Sequence, residues 1–221
     1  MLGVVGIILS LGLLMYLAYR GINVLILAPL LALLALSFNV GPQPGLMLGT
    51  YTQYFMVELG KYLAKFFPLF MLGAIFGKLM DDSGSARVIA GKIAAFTGPD
   101  RAILAVILAC GILTYGGVSL FVVAFAVYPI AKSLFREADI PKRLLPGAIA
   151  CGSFTFTMTA LPGTPAIQNA IPTAYFGTTT FAAPGLGIIG GIIMFAGGLA
   201  WLHWRAGSAR AAGEGYGAHL D

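Results

Sequence analysis

Residues Thr157 to Pro172 read Thr-Met-Thr-Ala-Leu-Pro-Gly-Thr-Pro-Ala-Ile-Gln-Asn-Ala-Ile-Pro. They lie in an apolar region long enough to cross a bilayer, yet hold three prolines, a glycine, three threonines and a Gln-Asn pair. A continuous helix does not tolerate Pro-Gly-Thr-Pro, because each proline removes a donor and clashes with the preceding turn. An unpaired peptide group in hydrocarbon costs several kcal/mol, so such a break must be buried in protein or line a wet cavity. Interrupted spans of this kind are where secondary transporters hold solute.

The rest of the chain agrees with a membrane setting. Of 221 residues, 59% are hydrophobic and only 10% charged, against about 25% charged in soluble domains. Several apolar runs approach the roughly 20 residues that span about 30 Å of hydrocarbon. They are continuous rather than alternating, which argues against a β-barrel. The expected fold is an all-α polytopic membrane protein. The net charge of +5 is no nucleic-acid signal, since the basic residues fall between apolar runs. Met1-Leu2-Gly3-Val4 lacks a basic n-region and reads as the start of a retained first span. Cys110 and Cys151 give no metal or disulfide spacing and read as small buried side chains.

Span 1 is predicted from about Leu2 to Tyr19, and span 2 from about Ile22 to Phe38, ending in the turn-rich Asn39 to Gly45. Leu48 to Lys65 mixes Tyr51, Tyr54 and Tyr62 with Glu58, Lys61 and Lys65, which suits an interfacial helix. Span 3 is expected to start near Pro68, a favourable first-turn position, and to end at Lys78 or Met80. Ala86 to Phe96 reads as a short basic amphipathic helix closed by Thr97-Gly98-Pro99-Asp100. Arg101 to Arg136 is an apolar block interrupted at Thr114 to Ser119. Its arms of about 13 to 17 residues are short for full crossings at 1.5 Å per residue, so a re-entrant hairpin or two short spans is expected. The broken segment follows over 143–177, then a last span from Pro184 to Trp204 and a Gly/Ala-rich tail. Residues 1–66 are read as a scaffold-like part, 67–205 as a transport-type unit, and 206–221 as a cytoplasmic connector or truncated linker.

Positive charge orients the chain. Arg20, the group Lys78/Arg87/Lys92/Arg101, the group Lys132/Arg136/Lys142/Arg143, and Arg205/Arg210 are expected on the cytoplasmic side. The uncharged loops 39–47 and 177–183 then face out. This places the N-terminus out and the C-terminus in, with about five crossings and one hairpin anchored from inside. Lys61 and Lys65 are the exceptions to the pattern.

Two clusters are candidate solute-binding residues. At the hairpin centre, Thr114, Tyr115, Gly116, Gly117 and Ser119 combine turn-permitting glycines with amides that can face an anion; the alternative is an ordinary turn at the far surface. At the break, Thr159, Gly163, Thr164, Gln168 and Asn169 offer hydroxyls and amides for a carboxylate and its neighbouring hydroxyls, with a half-helix N-terminus after Pro165. The alternative there is a proline kink repaired by polar side chains. Thr155 and Thr157 read as packing or back-bonding hydroxyls. Tyr128 and Pro129 read as a structural kink, and His203, between Trp201 and Trp204, as an interfacial anchor. His219 in the tail carries no signal.

Absences narrow the function classes. No acidic residue falls inside an expected crossing, so no carboxylate is placed there for proton relay. Metalloprotease, hydrolase-elbow and P-loop motifs are missing. Neither an enzyme, nor a metal site, nor a bound cofactor is expected.

Three runs nevertheless resemble one family: Leu72-Gly73-Ala74-Ile75-Phe76-Gly77-Lys78-Leu79-Met80, then Thr114-Tyr115-Gly116-Gly117-Val118-Ser119-Leu120-Phe121-Val122-Val123, then Phe156 to Asn169. In order and spacing they are similar to the gluconate permease family of the ion transporter superfamily. The resemblance implies a proton-coupled symporter for gluconate or a related small hydroxy acid in a bacterial inner membrane. It also implies inverted repeats, each with a re-entrant hairpin and a broken helix, which fall here on Thr114 to Ser119 and Pro162 to Asn169. Family members are about twice this length, so the chain corresponds to the first repeat. The expected partners are a small organic anion, a proton, the lipid bilayer, and the missing second repeat or a homo-oligomer; nucleic acid is not among them. The other readings are a passive channel and a non-transporting half-subunit that needs a partner.

Overall fold

The computed structural model describes residues 2–41, 43–98 and 101–217. Pro42, Pro99, Asp100, His219 and Asp221, touched on above, lie outside them. The described residues are overwhelmingly helical and hold no strand. The chain divides into two compact units, Met1–Phe67 and Pro68–Asp221.

In the first unit, α1 (Leu2–Tyr19) and α2 (Val24–Val40) pack against each other. Gly21 makes the turn between them, and Asn23 caps α2 by accepting from the Leu25 amide at 2.9 Å. Gly6 sits against the Phe38 side chain, so the two helices approach closely. Apolar residues cover the outside of α1 too, Leu2, Val4, Ile8 and Leu11 among them. A helix that is hydrophobic all round and not enclosed by protein is a membrane span.

A short α3 (Pro44–Thr50) runs through a π-helical turn at Tyr51–Phe55 into α4 (Met56–Asp82). This corrects the expected division into an interfacial helix and a separate span 3, because the helix is continuous through Pro68. Between Met56 and Phe67 the only helix breaker is the single Gly60, with Met, Glu, Leu, Lys and Ala around it. One lost backbone bond is not enough to end such a helix in a membrane setting. Gly45–Asp82 is an apolar helical run of 38 residues. Glu58, paired with Lys61 at 2.7 Å, therefore lies within an apolar helical run rather than outside one. Leu2–Tyr19 and Pro184–Ala211 are likewise long and apolar enough to cross a bilayer.

The second unit is built around α6 (Ala102–Tyr115), which is buried along nearly its whole length. Around it stand α5 (Ser85–Thr97), α7 (Leu120–Glu137) and α8 (Leu145–Phe154). The α6–α8 crossing is set by Gly152, where a β-carbon would lie 2.5 Å from the Ile107 carbonyl oxygen and 2.6 Å from the Cys110 Cβ. Cys110 and Cys151 are free thiols and buried, as expected. After α8 come the single turn α9 (Phe156–Thr159), a loop over 160–166 and α10 (Ile167–Phe176). The final helix, α11 (Pro184–Ala211), lays a glycine face on this region. Gly187 meets the Ala160 carbonyl, Gly191 meets Leu161, and Gly198 meets the Cys151 sulfur.

α11 continues seven residues past Trp204, because Ala and Arg sustain it until Gly213 takes a left-handed conformation. The following segment then folds back. Arg143 donates to both Glu214 carboxylate oxygens at 2.6 Å, and the Tyr216 amide donates to Asp139 Oδ1 at 2.8 Å. The guanidinium hydrogen bonds hold the Glu214 carboxyl below its usual range.

Overpacking a close crossing costs about 1–3 kcal/mol. Gly152→Ala is expected to lower the thermal stability of the detergent-solubilised chain by that order. Gly190→Ala, at a position with open space around it, is expected to be neutral or stabilising through helix propensity of about 1 kcal/mol. Equal melting temperatures for the two variants would contradict the crossing described.

Candidate functional site

Two non-helical tips meet in the second unit. The first ends α6. The Gly117 amide donates to the Thr114 carbonyl at 3.0 Å and the Val118 amide to the Leu113 carbonyl at 3.1 Å. With Gly117 at φ +92°, this is a Schellman ending, which needs a residue tolerant of the left-handed region. Gly116 precedes it, its amide bonded to the Ile112 carbonyl at 2.9 Å. Ser119 then starts α7 and packs against Gly77 of α4. Thr114 is buried, and its hydroxyl has no partner among the described residues.

The second tip is the loop 160–166. Pro162 and Pro165 have no amide to continue a helix, and Gly163 turns at φ +79°. Thr164 is fully buried, and its hydroxyl accepts from the Ala166 amide at 3.4 Å. The Gly163 amide donates to the Thr180 carbonyl at 2.9 Å. Asn169 donates through Nδ2 to the Thr164 carbonyl at 3.1 Å and to the Thr180 carbonyl at 3.0 Å. Both partners are carbonyls, so the amide orientation is fixed by chemistry. The Phe181 ring lies against Gly163, where any β-carbon would collide with it.

The tips touch in two places. The Tyr115 phenol donates to the Pro162 carbonyl at 2.9 Å. Gly117 approaches Pro165 so closely that a β-carbon would be 3.4 Å from its Cγ. Tyr115, Gly117, Gly163, Thr164 and Asn169 are thus brought into one connected region. Thr159 is exposed and donates back to the Thr155 carbonyl at 3.1 Å; Gln168 is exposed on α10. Thr155 and Thr157 back-bond to Cys151 and Gly152 at 2.6 and 2.7 Å, as their positions suggested.

No Asp, Glu, Lys or Arg occurs between Arg101 and Lys132 or between Arg143 and Arg205. Within these two stretches, only dipoles and hydroxyls are offered to an anion. The groups suited to that are the Ile167 and Gln168 backbone amides, for which helix geometry supplies no partner, together with the Gln168 side-chain amide; the Asn169 and Ala170 amides already donate to the Ala166 carbonyl at 3.0 Å. A cleft of about 470 Å³ adjoins the tips, lined by Ile112, Tyr115, Phe156, Leu161, Ile192 and Phe195 among others. Its walls are apolar, and an unpaired carboxylate would not leave water for them.

Two contributors were invisible in the sequence. Thr180 acts through its backbone carbonyl, which no side-chain identity announces. Phe181 acts by shape against a glycine 18 positions earlier. The one available signal was Asn169 itself, an amide at the start of a half-helix beside a break.

A GntP family permease model matches residues 2–204. The chain belongs to the GntP permease family. The chain is 52% identical over 211 residues to the uncharacterized transporter YxjC of Bacillus subtilis (strain 168), covering 96% of the chain and 44% of that protein. It is 31% identical over 144 residues to the high-affinity gluconate transporter of Escherichia coli (strain K12), covering 64% of the chain and 32% of that protein. The chain thus spans less than half the length of the curated relatives it matches. No solved structure matches it. The family is one of permeases.

Without Asn169 the Thr180 carbonyl keeps the Gly163 amide but the Thr164 carbonyl loses its side-chain donor, at a cost of about 1–3 kcal/mol. Asn169→Leu is expected to destabilise the permease by that order in detergent melts, whereas Gln168→Leu is expected to stay within about 0.5 kcal/mol. Equal effects would contradict the role of Asn169 as the clamp of the loop.

Proposed function

We propose that this permease takes part in secondary active, proton-coupled uptake of gluconate or a related small hydroxycarboxylate across the bacterial inner membrane. The observation that carries the proposal is the meeting of two non-helical tips within one apolar helical unit. Such backbone is tolerated in a bilayer where it is buried in protein or lines a water-filled cavity, and the broken helices of transporters place solute there. The solute class follows the gluconate transporter relative. A polyhydroxy acid suits a region that offers amides, hydroxyls and a helix N-terminus without a formal charge.

In this reading Thr114, Gly116, Gly117, Ser119, Thr159, Gly163, Thr164 and Gln168 border the solute, and Tyr115 and Asn169 shape the border. Residues 67–205 act as the moving part and 1–66 as the scaffold, with the N-terminus out and the C-terminus in. A second reading is a half-unit that transports only with a further repeat or a second copy. The share of the relatives' length that the chain covers, 44% and 32%, favours keeping it.

Reconstitution in proteoliposomes separates these. With an inward proton gradient, radiolabelled gluconate is expected to accumulate above its equilibrium level, and a protonophore is expected to abolish the accumulation. Protonophore-insensitive flux running only downhill would replace symport with a facilitator. Flux that appears only when a second repeat is supplied would establish the half-unit reading.

A further inference from the structure

We infer that Tyr115 is a positioning residue that fixes the separation of the two tips, rather than a ligand of the solute. The inference rests on the reading of the tips as the solute border. In an α-helix the Pro162 carbonyl would accept from the amide four residues on, that of Ala166. That amide is turned to the Thr164 hydroxyl instead, so the Pro162 carbonyl depends on a partner from elsewhere in the fold. The Tyr115 hydroxyl supplies it from 47 residues away.

The bond belongs to a longer string. Tyr115 holds Pro162. The adjacent Gly163 amide holds the Thr180 carbonyl, and the same carbonyl accepts from Asn169 on α10. The end of α6, the break, the 177–183 loop and the start of α10 are thereby joined in sequence. The phenol proton is already committed, and the ring lines the apolar cleft beside Leu161 and Ile192. Tyr115 therefore has no donor left for an anion without releasing the break.

The test is Tyr115→Phe, which removes only the hydroxyl, in the full chain in lipid nanodiscs. Two quantities are read: amide hydrogen exchange along the chain, and the gluconate concentration for half-maximal binding. Loss of one net hydrogen bond corresponds to about a fivefold change. Exchange is expected to speed up by about that factor at Gly163 and Ala166 as well as at Gly117 and Val118, with gluconate binding weakened about fivefold. Faster exchange confined to Gly117 and Val118 would overturn the inference, because the hydroxyl would then serve only its own turn. Weaker gluconate binding with unchanged exchange would also overturn it, in favour of direct contact with solute. If the unaltered chain binds no gluconate while exchange changes at both tips, the solute reading fails and the positioning of the break by Tyr115 stands. Asn169→Leu supplies a second variant, expected to speed exchange at Gly163 from the opposite end of the string; unchanged exchange there would contradict the string.

Discussion

Peptide groups that leave helical geometry inside a bilayer must find partners within the protein, because the lipid offers none. Residues 155–183 answer that demand group by group. Thr155 and Thr157 return their hydroxyls to the preceding turn. Thr164 takes the Ala166 amide, Thr180 takes the Gly163 amide, and Asn169 spends both amide protons on carbonyls. Tyr115 closes the account at Pro162. A mere kink would need fewer of these contacts. Here a whole loop is held open, while the Asn169 and Ala170 amides at the start of α10 are closed onto the Ala166 carbonyl.

The second requirement is close approach of helices without hydrophobic drive, since lipid chains are as apolar as leucine. Gly152 lets α8 reach the backbone of α6, and Gly187, Gly191 and Gly198 let α11 lie on the break. These contacts put the loop beside the α6 ending at the distance a tyrosine can bridge. Packing by small residues and the satisfaction of the break are therefore one design. A larger residue at Gly187 would push α11 from the Ala160 carbonyl at the very start of the loop.

Much of this was readable from residue types. Pro162-Gly163-Thr164-Pro165 announced a break, and Thr114 to Ser119 announced a turn, because proline and glycine act on the backbone locally. The apolar runs announced helices, and the family resemblance matched the family found. Pro68 misled, since a proline that suits a first turn is also tolerated inside a long membrane helix; α4 includes it. The end of α11 misled for a related reason, as Ala206 to Ala211 looks like a linker by composition but contains nothing that stops a helix. Asn169 stands out as an amide beside a break and reads as a solute donor; the carbonyls on which its protons are used leave no trace in the sequence. Long-range partners such as Thr180, Phe181 and the Tyr115–Pro162 pair depend on the folded path and leave no local trace.

The central claim is that the start of α10, beside the break, faces a water-accessible solute path at membrane depth. Gln168→Cys tests it most directly, because Gln168 is exposed and lies outside the bonded string. Reaction of that thiol with a membrane-impermeant maleimide, slowed by added gluconate, is the expected result. A thiol that never reacts from either side of the membrane, with or without gluconate, would contradict the account.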